Sequence, residues 1–245
     1  MITINYLKKI VLLVALTILF SCEQEVSETD LIKNIEFSKT ELIANGSDVT
    51  SIKVFFNEES NIELISLKIE TDNGVFLESQ DNEIELIPKE NLEGEIFAEV
   101  NLVSSSVNTD YNLTFEVDKY FYYENLTSIN SEPSSISISS SAFSVYNNFD
   151  SEITLEAVLS NENYGGVSSG VKVRFTDTFS DGTPVNGSFR SQSLTSNSQS
   201  KVSTIYSPGT IDPDQYINLT VEVLDDDENP IGISDIIDVY VNEKQ

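Results

Sequence analysis

From Lys33 onward, apolar residues fall on every second position of the chain. In the first half this holds for Ile52, Val54 and Phe56, and again for Leu113, Phe115 and Val117. In the second half it holds for Ile153, Leu155, Ala157 and Leu159, then for Val171, Val173 and Phe175. Near the end come Ile217, Leu219, Val221 and Val223, then Ile237, Val239 and Val241. Successive side chains of a strand point to opposite faces, so each set predicts a half-buried strand of an antiparallel sheet. No window carries the apolar stripe of a helix. Between the runs lie Asn45-Gly46-Ser47-Asp48, Asp72-Asn73-Gly74, Asp181-Gly182-Thr183-Pro184 and Asn186-Gly187-Ser188. These steps supply the positive-φ positions of tight turns.

The runs fall into two sets. The first predicts strands near 34–38, 50–57, 62–70, 75–79, 83–88, 95–103 and 111–119. The second predicts strands near 134–140, 151–160, 170–177, 187–194, 200–207, 216–224 and 234–242. Seven short strands in about 100 residues is the number for an immunoglobulin-like sandwich. The expected fold is therefore all-β, with two tandem immunoglobulin-like β-sandwich domains over residues 33–124 and 133–245. Residues 125–132 form the linker, followed by Pro133 and further serines. Alternation places Phe56, Phe115, Val173 and Leu219 on buried faces. Tryptophan is absent and there is one cysteine, so the Cys-Trp-Cys framework of antibody domains is absent too.

The segment ahead of the strands has a different character. Lys8 and Lys9 precede an apolar run from Ile10 to Phe20, broken only by Thr17, and Leu19-Phe20-Ser21-Cys22 follows on. Such a run has the length of a signal-peptide core and is short for a membrane span. The tetrapeptide resembles the lipobox of bacterial lipoproteins, with an aliphatic residue at −3 and a small one at −1. Phe20 at −2 is bulkier than usual. The resemblance implies a signal peptide over residues 1–21 and acylation of Cys22 by diacylglycerol and a further chain such as palmitate. Acyl chains anchor at about 0.8 kcal/mol per buried CH₂. Residues 22–32 carry Glu23, Glu25, Glu28 and Asp30, the composition of a solvated tether. This stretch also resembles the acidic export signal of surface lipoproteins in Bacteroidota. The implied location is the outer membrane, lipid-anchored and facing the cell exterior.

Acidic residues outnumber basic ones 41 to 13, for a formal charge of −28. Removal of Lys8 and Lys9 with the signal leaves 11 basic side chains and a balance of −30. Such a chain repels phosphate backbones, which excludes nucleic acid as a partner. Histidine is absent, removing the commonest general base and zinc ligand, and the sole cysteine lies in the lipobox. An enzyme is not expected. Paired carboxylates of the glycosidase kind are uninformative in so acidic a chain.

Two clusters stand out. Asp225, Asp226 and Asp227, followed by Glu228, Asn229 and Pro230, offer the oxygen-rich spacing that suits Ca²⁺ in extracellular loops. A solvated hairpin turn accounts for the same residues, and beyond Ca²⁺ no cofactor is expected. Tyr120, Phe121, Tyr122 and Tyr123 form the densest aromatic run and are candidates for binding a protein or stacking on sugar rings. Their place beside the junction alternatively predicts packing between the two halves. Asn-X-Ser/Thr triplets at Asn45, Asn112, Asn125, Asn186 and Asn218 read as chance in an Asn- and Ser-rich chain.

Both halves resemble bacterial Ig-like domains of the invasin/intimin type. In the first half the resemblance lies in Ser38 to Asp48, the strand Thr50 to Phe56, and Leu67 to Phe76. In the second half only the pattern is shared, at Val171 to Thr176, Gly187-Ser188-Phe189 and Leu219 to Val223. The family serves as stalks and adhesive modules. The expectation is a non-catalytic structural or protein-interaction module, partnered by an outer-membrane or extracellular protein. The alternatives are a glycan-binding accessory lipoprotein of polysaccharide uptake, or an adhesion stalk. A dry seam formed by Tyr120 to Tyr123 would favour the interaction module, and exposed aromatics on one face the glycan binder.

Overall fold

A computed structural model describes residues 31–57 and 66–244. The signal segment, Cys22, most of the acidic tether and the start of the strand expected at 62–70 lie outside the described residues. The first half contains β1 (Ile32–Phe37), β2 (Glu41–Ile43), β3 (Val49–Phe56), β4 (Leu67–Thr71) and β5 (Val75–Phe76). It continues with β6 (Glu83–Leu86), β7 (Lys89–Glu90), β8 (Ile96–Val103), β9 (Tyr111–Val117) and β10 (Tyr120–Ile129). The second half contains β11 (Ser135–Ser140), β12 (Ser144–Tyr146), β13 (Ile153–Ser160), β14 (Lys172–Phe179) and β15 (Ser188–Phe189). It closes with β16 (Ser193–Thr195), β17 (Lys201–Ser207), β18 (Gln215–Leu224) and β19 (Pro230–Asn242).

The strands form two sandwiches that, apart from β7, repeat each other strand for strand. In the first, a sheet ordered β1-β3-β8-β5 faces one ordered β2-β10-β9-β4-β6, with β7 added beside β8. In the second, β11-β13-β17-β15 faces β12-β19-β18-β14-β16. This is the two-sheet arrangement of an immunoglobulin-like fold. Pairing is antiparallel except where the short β2 and β12 run parallel to the last strand of their sandwich.

Each sandwich has its own core. Phe56, Phe115, Leu113 and Val117 are buried in the first, with Ile52, Val54 and Phe76. Val173, Phe175, Leu155 and Leu219 are buried in the second, with Val221, Val223 and Tyr206. The period-two pattern thus sorted inward from outward positions because one face of every long strand packs against the opposing sheet.

Three local differences from the sequence expectations have physical causes. The first sandwich does not end at residue 124: β10 runs on to Ile129, and Asn130 to Ser134 makes the connection. Only the last three residues of β10 have β2 beside them; the rest lies at the edge of the sheet, and β10 buries only Leu126, so its pattern lacks clean alternation. The run expected at 187–194 divides into β15 and β16, which pair with β17 and β14 in opposite sheets. The short parallel strands β2 and β12 have too few residues to show a period at all.

Candidate interaction surfaces

The two sandwiches meet end to end, through loops whose polar residues find partners across the boundary. The Ser168 Oγ donates to the Ala44 carbonyl at 2.8 Å and accepts the Ser131 N–H at 2.9 Å. The Ser131 Oγ donates to the Gly166 carbonyl at 2.7 Å, and the Ser168 N–H returns a bond to the Ser131 carbonyl at 3.0 Å. The Ser106 carbonyl accepts both the N–H and the Oγ of Ser169, at 2.8 and 3.2 Å. Asn45 Nδ2 donates to the Tyr164 carbonyl and Asn161 Nδ2 to the Glu132 carbonyl, at 2.9 and 2.7 Å. Ser106, Ser131 and Ser168 are all buried. A Cβ on Gly166 would stand 2.8 Å from the Asn45 carbonyl oxygen, so only glycine permits this approach.

The seam excludes the aromatic run. Tyr120 begins β10, while the chain leaves for the second sandwich from the other end of that strand, beyond Ile129. Packing of Tyr120 to Tyr123 between the halves is therefore incorrect: proximity in sequence became distance in space because the residues between form one extended strand. The run lies next to the Asp118-Lys119 turn, where Asp118 takes φ 58. Tyr120 and Tyr122 are half-buried, whereas Phe121 and Tyr123 on the outer face are 52% and 71% exposed.

Asp225 to Asp227 form the turn between β18 and β19. The Asp225 Oδ1 accepts the Asn229 N–H at 2.8 Å, and the two residues also bond through N–H of Asp225 and the Asn229 carbonyl at 2.9 Å. The Asn229 N–H holds the Asp225 carboxyl below its usual range. The Asp226 carbonyl accepts the Lys172 ammonium at 2.8 Å. Among the described residues no three carboxylates gather in a way that could hold a metal ion. The first aspartate is spent on closing its turn, and no Ca²⁺ site is derived from it.

The far pole of the second sandwich carries features that sequence reasoning missed. A cleft of about 870 Å³ is lined by Asn147, Phe179, Asp181, Ile211, Asp212 and Tyr216, among others. The Tyr216 and Tyr240 rings meet edge-on at 5.0 Å, and the Tyr240 Oη donates to Asp214 Oδ1 at 3.2 Å. Phe143, Tyr146, Phe149 and Tyr216 are all exposed in this sandwich. Each aromatic is isolated in sequence, so no run betrayed the group. Above the second core, the buried Tyr206 Oη donates to Asp177 Oδ2 at 2.9 Å, and that same oxygen accepts the Gly187 N–H at 2.7 Å.

No protein-family model matches the chain, and no curated protein matches it. Among solved structures, invasin, a bacterial integrin-binding protein, aligns with TM-score 0.58 and 16% identity over 86% of this chain. The fold is that of tandem immunoglobulin-like β-sandwiches. The adhesin InvE of Yersinia pseudotuberculosis aligns with TM-score 0.46 and 13% identity over 87% of this chain. The chain spans 39% of the invasin chain and 60% of the InvE chain. The likeness to invasin speaks to fold alone.

Proposed function

We propose that the protein is a surface-exposed outer-membrane lipoprotein, acylated at Cys22, whose two sandwiches form one stiff, non-catalytic module that docks a protein partner. The serine seam carries the reading. A flexible linker would let the halves reorient freely, as is the default for domains in one chain. Here buried hydroxyls and backbone groups bond across the boundary in a connected network, and such networks rigidify when satisfied. Surfaces at the two poles then keep a fixed spacing, as a docking or spacer element requires. The likeness to invasin, an integrin-binding protein, fits a protein partner. A chain without histidine, with its only cysteine in the lipobox, lacks the imidazole base, and its mature domains lack a thiol nucleophile.

Replacing Cys22→Ala tests the anchor, and protease treatment of intact cells tests the display. The variant should lose its acyl chains and leave the membrane fraction, and the wild-type protein should be cut from the cell surface. Retention of a processed Cys22→Ala variant after high-salt washing, or protection of the wild type from protease, would contradict this assignment.

A second reading, glycan binding, is favoured by the exposed Phe121 and Tyr123 rings on one strand face. Exposed rings on an open face suit sugar stacking as well as protein contact.

A further inference from the structure

The internal repeat allows each last strand to be compared with its counterpart. Among the described residues, both β10 and β19 pair on one side with the preceding strand, and on the other only with a three-residue parallel strand, at Thr127–Ile129 and Tyr240–Asn242. The remainder of each is a sheet edge. Along β19 the edge is guarded: β11 packs beside it, and the Asp235 carboxylate accepts the Ile138 N–H at 2.9 Å. Among the described residues, β1 does not pack along β10 in this way.

Parity fixes which peptide groups β10 leaves open. The Thr127 N–H donates to the Thr40 carbonyl at 2.9 Å, and the Ile129 carbonyl accepts the Ala44 N–H at 2.8 Å. Odd-numbered residues therefore turn their peptide groups away from β9. By that parity Phe121, Tyr123 and Asn125 direct N–H and C=O outward from the sheet, where no described residue meets them. Soluble proteins blunt such edges with lysine, proline, a bulge or a cover. Among the described residues no strand or loop covers this stretch and it has no lysine or proline; its one charged side chain is Glu124, and Phe121 and Tyr123 stand exposed on its outer face.

We propose that the β10 edge from Phe121 to Asn125 receives an extended, cationic segment of a partner protein as an added strand. Main-chain bonds would supply affinity, and alternate side chains selectivity, as in other strand additions. Glu124 is the only charged residue of β10, and Glu116 lies opposite Phe121 on β9. With a formal charge of −28 behind them, they select a segment bearing Lys or Arg. A second copy of this chain would bring the same Glu124 and the same net charge, and is repelled. Apolar side chains of the added strand would cover Phe121 and Tyr123, while its cations would face Glu124. This deepens the proposed protein docking and rests on it, but it is independent of the lipid anchor.

The test is residue-resolved amide hydrogen exchange on the purified full chain in detergent. The probes are a short synthetic peptide alternating Val with Lys and a matched peptide alternating Val with Glu. With the Val/Lys peptide, the Phe121, Tyr123 and Asn125 amides should slow by about tenfold or more, while Tyr122 and Glu124, bonded to β9, change little. Tyr123→Pro sits where the N–H makes no ladder bond, so it should fold and lose about tenfold or more in affinity. Protection elsewhere or nowhere, equal binding of the Val/Glu peptide, or full-strength binding by a folded Tyr123→Pro would overturn the proposal. So would peptide-free dimers that protect the same amides. If Tyr123→Pro does not fold, the wild-type exchange pattern decides. Failure here leaves the Cys22 and cell-surface results untouched, so the two readings fail separately.

Discussion

Ser168 Oγ both donates to the Ala44 carbonyl at 2.8 Å and accepts the Ser131 N–H at 2.9 Å, so one hydroxyl joins the first sandwich, the linker and the second sandwich. Its own carbonyl accepts the Ser196 Oγ at 3.1 Å, which ties the joint to a further loop of the second sandwich. The joint is small and polar, and its strength lies in having its groups paired.

Ser168→Ala leaves the Ala44 carbonyl and the Ser131 N–H without this partner, and an unsatisfied buried group costs about 1–3 kcal/mol. Calorimetry should show the two sandwiches melting less cooperatively than in the wild type, with each core intact. Gly166→Ala should do the same by sterics, since its Cβ would stand 2.8 Å from the Asn45 carbonyl oxygen. Small-angle scattering should then report a wider range of interdomain angles. Unchanged melts and scattering in both variants would mean that the seam does not stiffen the pair.

Asp48 should make the first sandwich acid-sensitive. Burial pushes its carboxyl up, but the Lys39 ammonium and the Ile43 and Val49 N–H groups outweigh burial and hold it below its usual range. The Ile43 N–H lies 2.9 Å from Oδ2. A folded-state value below the unfolded one stabilises above the unfolded value and fades as pH falls through the folded one. Stability should therefore drop as pH falls below about 4, near the unfolded carboxylate value. Asp48→Asn should lose about 1–2 kcal/mol near neutrality and flatten that acid slope, as measured by urea unfolding across the pH range.

The long strands with one dry face were legible in the sequence: Val173 and Leu219, or Leu113 and Phe115, alternate because a single opposing sheet covers them. β10 was not legible as a strand. It is a sheet edge with Tyr120 and Tyr122 turned partly inward and Phe121 and Tyr123 outward, so aromatics occupy both faces and period two disappears. The seam was illegible for another reason. Ser106, Ser131 and Ser168 look like loop serines, and only tertiary proximity turns them into a joint. Asp48 and Asp177 are similar cases: among 41 acidic residues nothing local marks them as acceptors of structural hydrogen bonds.

Phe115 and Phe175 are fully buried in separate cores. Replacing either by Ala should cost about 3–5 kcal/mol through lost contacts and the cavity left behind. Phe115→Ala should lower the melting of the first sandwich chiefly, and Phe175→Ala that of the second. Strand-resolved hydrogen exchange distinguishes them. Equal loss of protection in both sandwiches from either change would mean that the cores unfold as one unit.

The last prediction concerns the alkaline side and the buried pair Tyr206 and Asp177. Tyr206 is fully buried, its Oη donates to Asp177 Oδ2 at 2.9 Å, and its ring packs 4.7 Å from that of Phe189. Burial, then the neighbouring Asp177 charge and the hydrogen bond to it, push the phenol far above its ordinary value. A phenol raised in the folded state stabilises fully below the unfolded value near about 10 and loses that contribution as pH climbs beyond it. In an absorbance titration, this tyrosine should therefore ionise only together with loss of β-sheet ellipticity. Tyr206→Phe should abolish the late-ionising step. It should also cost about 1–3 kcal/mol near neutrality, because Asp177 keeps only the Gly187 N–H at 2.7 Å. Gly187→Ala should damage the same site, since its Cβ would lie 2.6 Å from the Tyr206 Oη. If all tyrosines titrate reversibly in the folded protein, or Tyr206→Phe is as stable as the wild type, the pair does not hold the second core as described.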